Sequence, residues 1–187
     1  KSGGGIFIGR GSHMIDAIWW ILGRPGVRSI RADTHSRLTG SEVDDFASAV
    51  LRLDGGAVVN VQCSYVAHLA PFRERIQFEL YGTAGGASYD GRGDSAEPQF
   101  KIGRCNSGNG QWEDLSSSLD AEAIAQERPV NVIHDFLDAA ARNIDPVVTG
   151  EDAAYIVRLL EAGYESARAG REIELAPPMS APGSRRR

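Results

Sequence analysis

Residues near the start of the chain have the types and spacing that favour proton-transfer chemistry. A glycine run at residues 3–5 precedes His13 and Asp16, which lie one helical turn apart and project from the same side of a predicted helix. A histidine imidazole gains or loses its proton near neutral pH, so it can accept a proton from a substrate hydroxyl group. The glycines have no β-carbon, which lets the backbone pass close to a ligand. His13 is therefore a candidate catalytic residue.

Each of these residues also has a purely structural interpretation. Ser12 is a favoured N-cap residue, and apolar residues recur at helical spacing after it, so a helix is predicted over residues 12–22, ending at Gly23. His13 can then be a side chain that only caps this helix. Asp16 is favoured in a first helical turn, because its carboxylate opposes the partial positive charge of the helix N-terminus.

The middle of the chain predicts β-strands. Residues 57–65 alternate between apolar and polar side chains after the turn Asp54-Gly55-Gly56, which indicates a hairpin strand with one buried and one open face. The open face forms either an association surface or a solvated surface, and it carries Val58, Asn60, Gln62 and Ser64. Further strands are predicted at residues 27–34, 43–53, 75–81, 87–90, 100–104, 111–115 and 172–175.

The last third of the chain predicts two helices. Residues 132–140 place apolar side chains on one helical face. Thr149 and Asp152 have the spacing of a capping box, and Gly170 marks the end of the second helix. Residues 176–187 contain three prolines and predict a flexible tail. Together these elements predict an α+β fold: a mostly antiparallel (mixed) open sheet with helices packed on one face.

The composition of the chain argues against nucleic-acid-binding, membrane-spanning and metal-binding classes of protein. The chain has 187 residues and a net charge of −5, which suits one domain with its own core and argues against a nucleic-acid partner. No apolar run is long enough to span a membrane. Cys63 and Cys105 lack the spacing of metal ligands, and the alternation around Cys63 predicts a small buried side chain. We therefore expect no metal site and no membrane partner and, with no signal peptide visible, a cytoplasmic location.

Several motifs together resemble the C-terminal domain of the glucose–fructose oxidoreductase, inositol dehydrogenase and MocA (Gfo/Idh/MocA) family. In that family a G-G-G run is followed by D-x-G-x-H-x-x-D, which residues 3–16 match except that Gly9 stands in place of the first Asp. Residues 80–86 resemble the family's I-x-G-T-x-G turn. Its final helix and strand are similar to residues 146–153, 161–167 and 170–173.

The resemblance implies that residues 1–175 are the substrate-binding and oligomerisation domain of an NAD(P)-dependent oxidoreductase acting on sugars or polyols. It implies that His13 accepts the proton of a substrate hydroxyl while hydride passes to the nicotinamide. Arg10 is then a candidate for binding an anionic group. His68 and Arg73 lie where the family often contacts substrate, but for Arg73 a solvated surface charge is the favoured alternative.

The resemblance also implies that the family's N-terminal dinucleotide-binding domain is absent from this chain. NAD or NADP is expected for the intact enzyme, but no cofactor-binding residue is expected here. Gly9-Arg10-Gly11 lacks the third glycine of a dinucleotide-binding turn, and residues 82–86 link two predicted strands. The expected partners are that domain, a small-molecule substrate and further copies of the chain. A non-catalytic member that binds a small molecule or a protein is the alternative, favoured by Gly9, whereas His13 favours the enzyme.

Overall fold

The structure, a computed structural model, describes residues 3–37, 39–65, 75–92, 99–105, 111–115 and 132–176. Within these ranges the chain forms α-helices and two antiparallel sheets, which confirms the predicted α+β class. The chain divides into two compact units, the first made of residues 1–67 and 143–187 and the second of residues 68–142. The helices are α1 (Ser12–Ile21), α2 (Val132–Arg142) and α3 (Gly150–Ala169). None of the described helices combines the length and apolar character needed to cross a membrane.

The first unit contains a four-stranded sheet in the order β3-β2-β1-β8. Its strands are β1 (Val27–His35), β2 (Phe46–Leu53), β3 (Val58–Ser64) and β8 (Ile173–Glu174). In the middle of the sheet Ala49 pairs with Ala32 on one side and Val61 on the other. The predicted alternation in β3 is confirmed, because Val61 and Cys63 are buried whereas Asn60 and Gln62 are exposed.

Helix α3 begins and ends where the sequence predicts. The Thr149 hydroxyl accepts a hydrogen bond from the Asp152 N–H, and the Thr149 N–H donates to the Asp152 carboxylate, each at 3.1 Å. This reciprocal pair satisfies two backbone donors at the helix start. Gly170 ends the helix in the left-handed conformation, with φ of 63°.

The core of the first unit lies between the sheet, the N-terminal helical segment and α3. Phe7, Ile15, Ile30 and Leu159 are all almost completely buried there. A β-carbon at Gly163 would lie 2.5 Å from the Phe7 ring. The glycine on α3 therefore allows the N-terminal segment to pack directly against that helix.

The first helix does not begin at Ser12 as predicted. Ile6 and Gly11 already have helical backbone angles, and the Gly9 N–H donates to the Gly5 carbonyl at 3.0 Å. A π-helical turn, Phe7–Gly11, continues directly into α1. Ser12 is consequently inside a continuous helix and makes no cap.

The second unit contains a four-stranded antiparallel sheet in the order β4-β5-β6-β7. Its strands are β4 (Arg75–Tyr81), β5 (Gly85–Arg92), β6 (Gln99–Cys105) and β7 (Trp112–Asp114). The Gly82 N–H donates to the Gly85 carbonyl at 2.8 Å and closes the turn between β4 and β5. Helix α2 also belongs to this unit, and its Phe136 and Leu137 side chains are exposed.

Candidate functional site

Asp44 holds the start of the helical segment that carries His13. Its carboxylate accepts hydrogen bonds from the Gly5 N–H at 2.9 Å and the Phe7 N–H at 2.8 Å. Its backbone carbonyl accepts a third, from the Ile6 N–H at 2.9 Å. The first N–H groups of a helix have no partner within the helix, and a negative charge there is favourable. Asp44 therefore caps this helix from a distant part of the chain.

Tyr164 completes the buried Asp44 cluster. Its hydroxyl donates to the Asp44 carboxylate at 2.9 Å. Burial, together with the bond to the Asp44 carboxylate, raises the pKa of Tyr164 to about 12, so the phenol keeps its proton throughout the physiological range. This donor adds a link between α3 and the start of the first helix.

Two glycines of the run, Gly4 and Gly5, are explained by packing against this cluster. A β-carbon at Gly5 would lie 1.9 Å from the Asp44 carbonyl oxygen, and one at Gly4 would lie 2.6 Å from the Tyr164 hydroxyl. A side chain at Gly5 would collide with the backbone, and one at Gly4 would displace the Tyr164 hydroxyl. The close approach that these glycines allow is thus to Asp44 and Tyr164 of the chain itself.

His13 lies on the exposed side of the anchored helix. Its side chain and that of Arg10 are exposed, whereas Ile15 and Trp19 on the opposite side are buried in the core. Asp16 is half-buried and lies beyond the first helical turn, so the predicted interaction with the helix N-terminus is wrong. The structure therefore brings His13 and Arg10 together on one accessible surface.

Tyr65 joins this surface from the end of β3. A β-carbon on Gly9 would lie 2.9 Å from the Tyr65 hydroxyl, and Gly9 is one helical turn before His13. The Tyr65 side chain is 59% exposed. Sequence reasoning missed this residue, because its alternation with Cys63 places it on the buried face of the strand.

The remaining predicted site residues are not brought into this site by the described structure. His68 and Arg73 lie outside the described residues. Cys63 is buried as predicted, and burial, assisted by the nearby Asp44 charge, raises the pKa of its thiol to about 11. In the part of the chain that the structure describes, no three His, Cys, Asp or Glu side chains are grouped so that they could hold a metal ion.

The glycines of the described residues do not fit a dinucleotide. A pyrophosphate cradle needs a glycine-rich turn between a strand and a helix. Gly9 and Gly11 are instead inside a helical segment, where a β-carbon at Gly11 would lie 2.9 Å from the Phe7 ring. Residues 82–86 connect two antiparallel strands. The described residues thus contain no glycine-rich turn of the kind that cradles a pyrophosphate.

Solved structures of oxidoreductases share this fold. The WlbA dehydrogenase from Bordetella pertussis, in complex with NADH and UDP-GlcNAcA, is 21% identical with a TM-score of 0.71 over 92% of this chain and 48% of its own. GenD2 from gentamicin A biosynthesis, in complex with NAD, is 27% identical with a TM-score of 0.68 over 93% and 49% of the two chains. The aldose-aldose oxidoreductase from Caulobacter crescentus, complexed with glycerol, is 20% identical with a TM-score of 0.67 over 92% and 48%.

The chain thus spans about half the length of these structures. No curated protein matches the sequence. The family model described as "Oxidoreductase family, C-terminal alpha/beta domain" matches residues 1–175, which is nearly the whole chain. The chain therefore belongs to the Gfo/Idh/MocA oxidoreductase family, as a C-terminal α/β domain.

Proposed function

We propose that this chain is the substrate-binding and oligomerisation domain of an NAD(P)-dependent oxidoreductase that acts on a sugar or polyol, and that it is not catalytic alone. The observation that carries the proposal is the exposed His13 on a helix whose start is fixed by Asp44. A general base must be held in place yet remain accessible to its substrate, and His13 meets both conditions.

In the proposed reaction His13 accepts the proton of a substrate hydroxyl group. Arg10 is proposed to bind an anionic group of the substrate; its support is that it lies three residues before His13 on the same helical side and is exposed. His68 and Arg73 remain proposed substrate contacts on the basis of the family resemblance alone.

The nicotinamide cofactor is proposed to come from a separate dinucleotide-binding domain. Two of the similar structures, each about twice as long as this chain, are complexes with NADH or NAD. The sugar or polyol class is supported by the bound UDP-GlcNAcA and glycerol in two of them. A cytoplasmic location is part of the same proposal.

Oligomerisation is proposed to use the open face of the first sheet. Asn60 and Gln62 are exposed on this face, and Val58 beside them is an exposed apolar side chain. A surface that mixes apolar and small polar groups suits a partly hydrated contact between two copies.

Gly9 supports a second candidate function, that of a non-catalytic member that binds a small molecule or a protein. The family pattern has an Asp at this position, and its loss removes a carboxylate one turn from His13. In this alternative the scaffold and the His13 surface are kept for binding only.

The test compares the chain alone with a polypeptide in which a dinucleotide-binding domain precedes it. Calorimetry should show no one-to-one NADH complex with a dissociation constant of about 1 μM for the chain alone, because it offers no pyrophosphate cradle. The longer polypeptide should bind NADH and reduce NAD in the presence of a sugar or polyol. NADH binding by the chain alone would contradict the domain assignment, and cofactor binding without turnover on any sugar or polyol would favour the non-catalytic alternative.

A further inference from the structure

We propose that the Tyr65 phenol is a second substrate-binding group, which forms a hydrogen bond with the substrate oxygen next to the one that His13 deprotonates. This inference rests on the proposed function, since it assigns a residue to the same substrate surface. It starts from the position of the Tyr65 hydroxyl, 2.9 Å from where a β-carbon on Gly9 would stand.

The hydroxyl lies on the side of the helix that carries His13. Residues four apart on a helix are neighbours, with β-carbons about 5–6 Å apart, so Gly9 and His13 share one helical side. Both residues are exposed. The phenol hydroxyl and the imidazole therefore lie on the same exposed side of the helix, which is the arrangement needed for one substrate to contact both.

The backbone of Tyr65 is fixed although its ring is accessible. Its N–H donates to the Asp45 carbonyl at 3.0 Å, which extends the pairing of Ser64 with Phe46 by one residue. Asp45 itself is almost completely buried. A ring that is anchored at its base and 59% exposed can present its hydroxyl to a ligand.

The position of the Tyr65 hydroxyl depends on the absence of a side chain at Gly9. Any side chain at position 9 would place its β-carbon within 2.9 Å of the hydroxyl and would move the phenol away. Glycine at this position thus leaves the space that the phenol occupies. A phenol hydroxyl both donates and accepts hydrogen bonds, so it can pair with a neutral sugar hydroxyl in either direction.

The experiment uses the polypeptide that joins this chain to a dinucleotide-binding domain, with D-glucose, myo-inositol and glycerol as probes. Tyr65→Phe should lower kcat/KM by about tenfold, the effect of one hydrogen bond of about 1.4 kcal/mol. Gly9→Ala should cause a similar loss by displacing the hydroxyl. The double variant should be no worse than either single variant, because both remove the same contact.

Two matched variants serve as controls. Tyr81→Phe removes a hydroxyl from a residue that is 88% exposed in the second unit. Gly150→Ala adds a β-carbon into open space at the start of α3. Both should retain the turnover of the unchanged protein. Thermal unfolding of every variant identifies any loss that comes from misfolding.

A substrate analogue that lacks the oxygen proposed to bind Tyr65 distinguishes the loss of this hydrogen bond from structural damage to the protein. If D-glucose is the best probe, the Tyr65→Phe loss should disappear with the deoxy analogue that lacks the neighbouring hydroxyl. The same variant should also weaken D-glucose binding by about tenfold in calorimetry, whatever the turnover. Unchanged kcat/KM and unchanged binding in Tyr65→Phe, alongside a large loss in His13→Ala, would overturn this inference and leave the proposed function standing. No binding of any probe would overturn both.

Discussion

Removal of the Asp44 carboxylate should cause a large loss of stability. Asp44→Ala deprives the Gly5 N–H, the Phe7 N–H and the Tyr164 hydroxyl of their acceptor in a buried place. Because these donors hold the start of the helix carrying His13, the change should loosen both the fold and the site.

The size of the loss follows from the bonds that are broken. A hydrogen bond to a charged group contributes about 1.5–3 kcal/mol, and removal of the carboxylate also relieves the cost of burying it. We expect Asp44→Ala to lower the free energy of unfolding by about 3 kcal/mol. Tyr164→Phe, which removes one of the three bonds, should cost about 1–2 kcal/mol.

Urea unfolding at pH 7, followed by circular dichroism, measures these differences. Asp33→Ala is the matched control, because the Asp33 carboxylate is exposed and pairs with Arg31 at 3.2 Å. An exposed ion pair contributes at most about 1 kcal/mol. The explanation would be refuted if Asp44→Ala lost no more stability than Asp33→Ala.

Two further predictions follow from the same core. Gly163→Ala should cost about 1–3 kcal/mol in urea unfolding, because its β-carbon meets the Phe7 ring at 2.5 Å, whereas Gly150→Ala in open space should not destabilise. The pKa of Tyr164 is raised from 10 to about 12 in the folded state, so the unfolded chain releases this proton first and stability should fall as pH rises through this window. Tyr164→Phe should lose less stability between pH 10 and pH 12 than the unchanged protein; an identical loss would contradict the pKa assignment.

The sequence predicts the elements whose signals are local. The ends of α3 are determined by residues within the helix or beside it. The structure confirms both the capping box of Thr149 and Asp152 and the terminal Gly170. The alternation of apolar and polar residues around Val61 and Cys63 likewise indicates which side of β3 is buried. Such patterns depend on near neighbours and can be recognised without a fold.

The start of the first helix depends on a contact that no local pattern contains. Asp44 is 37 residues from Phe7 in sequence, yet its carboxylate caps the Phe7 N–H. Ser12 has the residue type of a cap but lies inside the helix. Tyr65 was missed for a similar reason, since its position beside Gly9 follows from how β3 meets the helix.

The most direct test of the central claim is the turnover of His13→Ala in the polypeptide that includes a dinucleotide-binding domain. An essential general base contributes about 10²–10⁴-fold, so kcat should fall by at least about 100-fold. The dissociation constant for NADH should stay within about twofold, because the described residues offer no nucleotide cradle. His134→Ala, a change at an exposed histidine on α2, should leave kcat unchanged. Unchanged turnover in His13→Ala would contradict the account and favour the non-catalytic alternative.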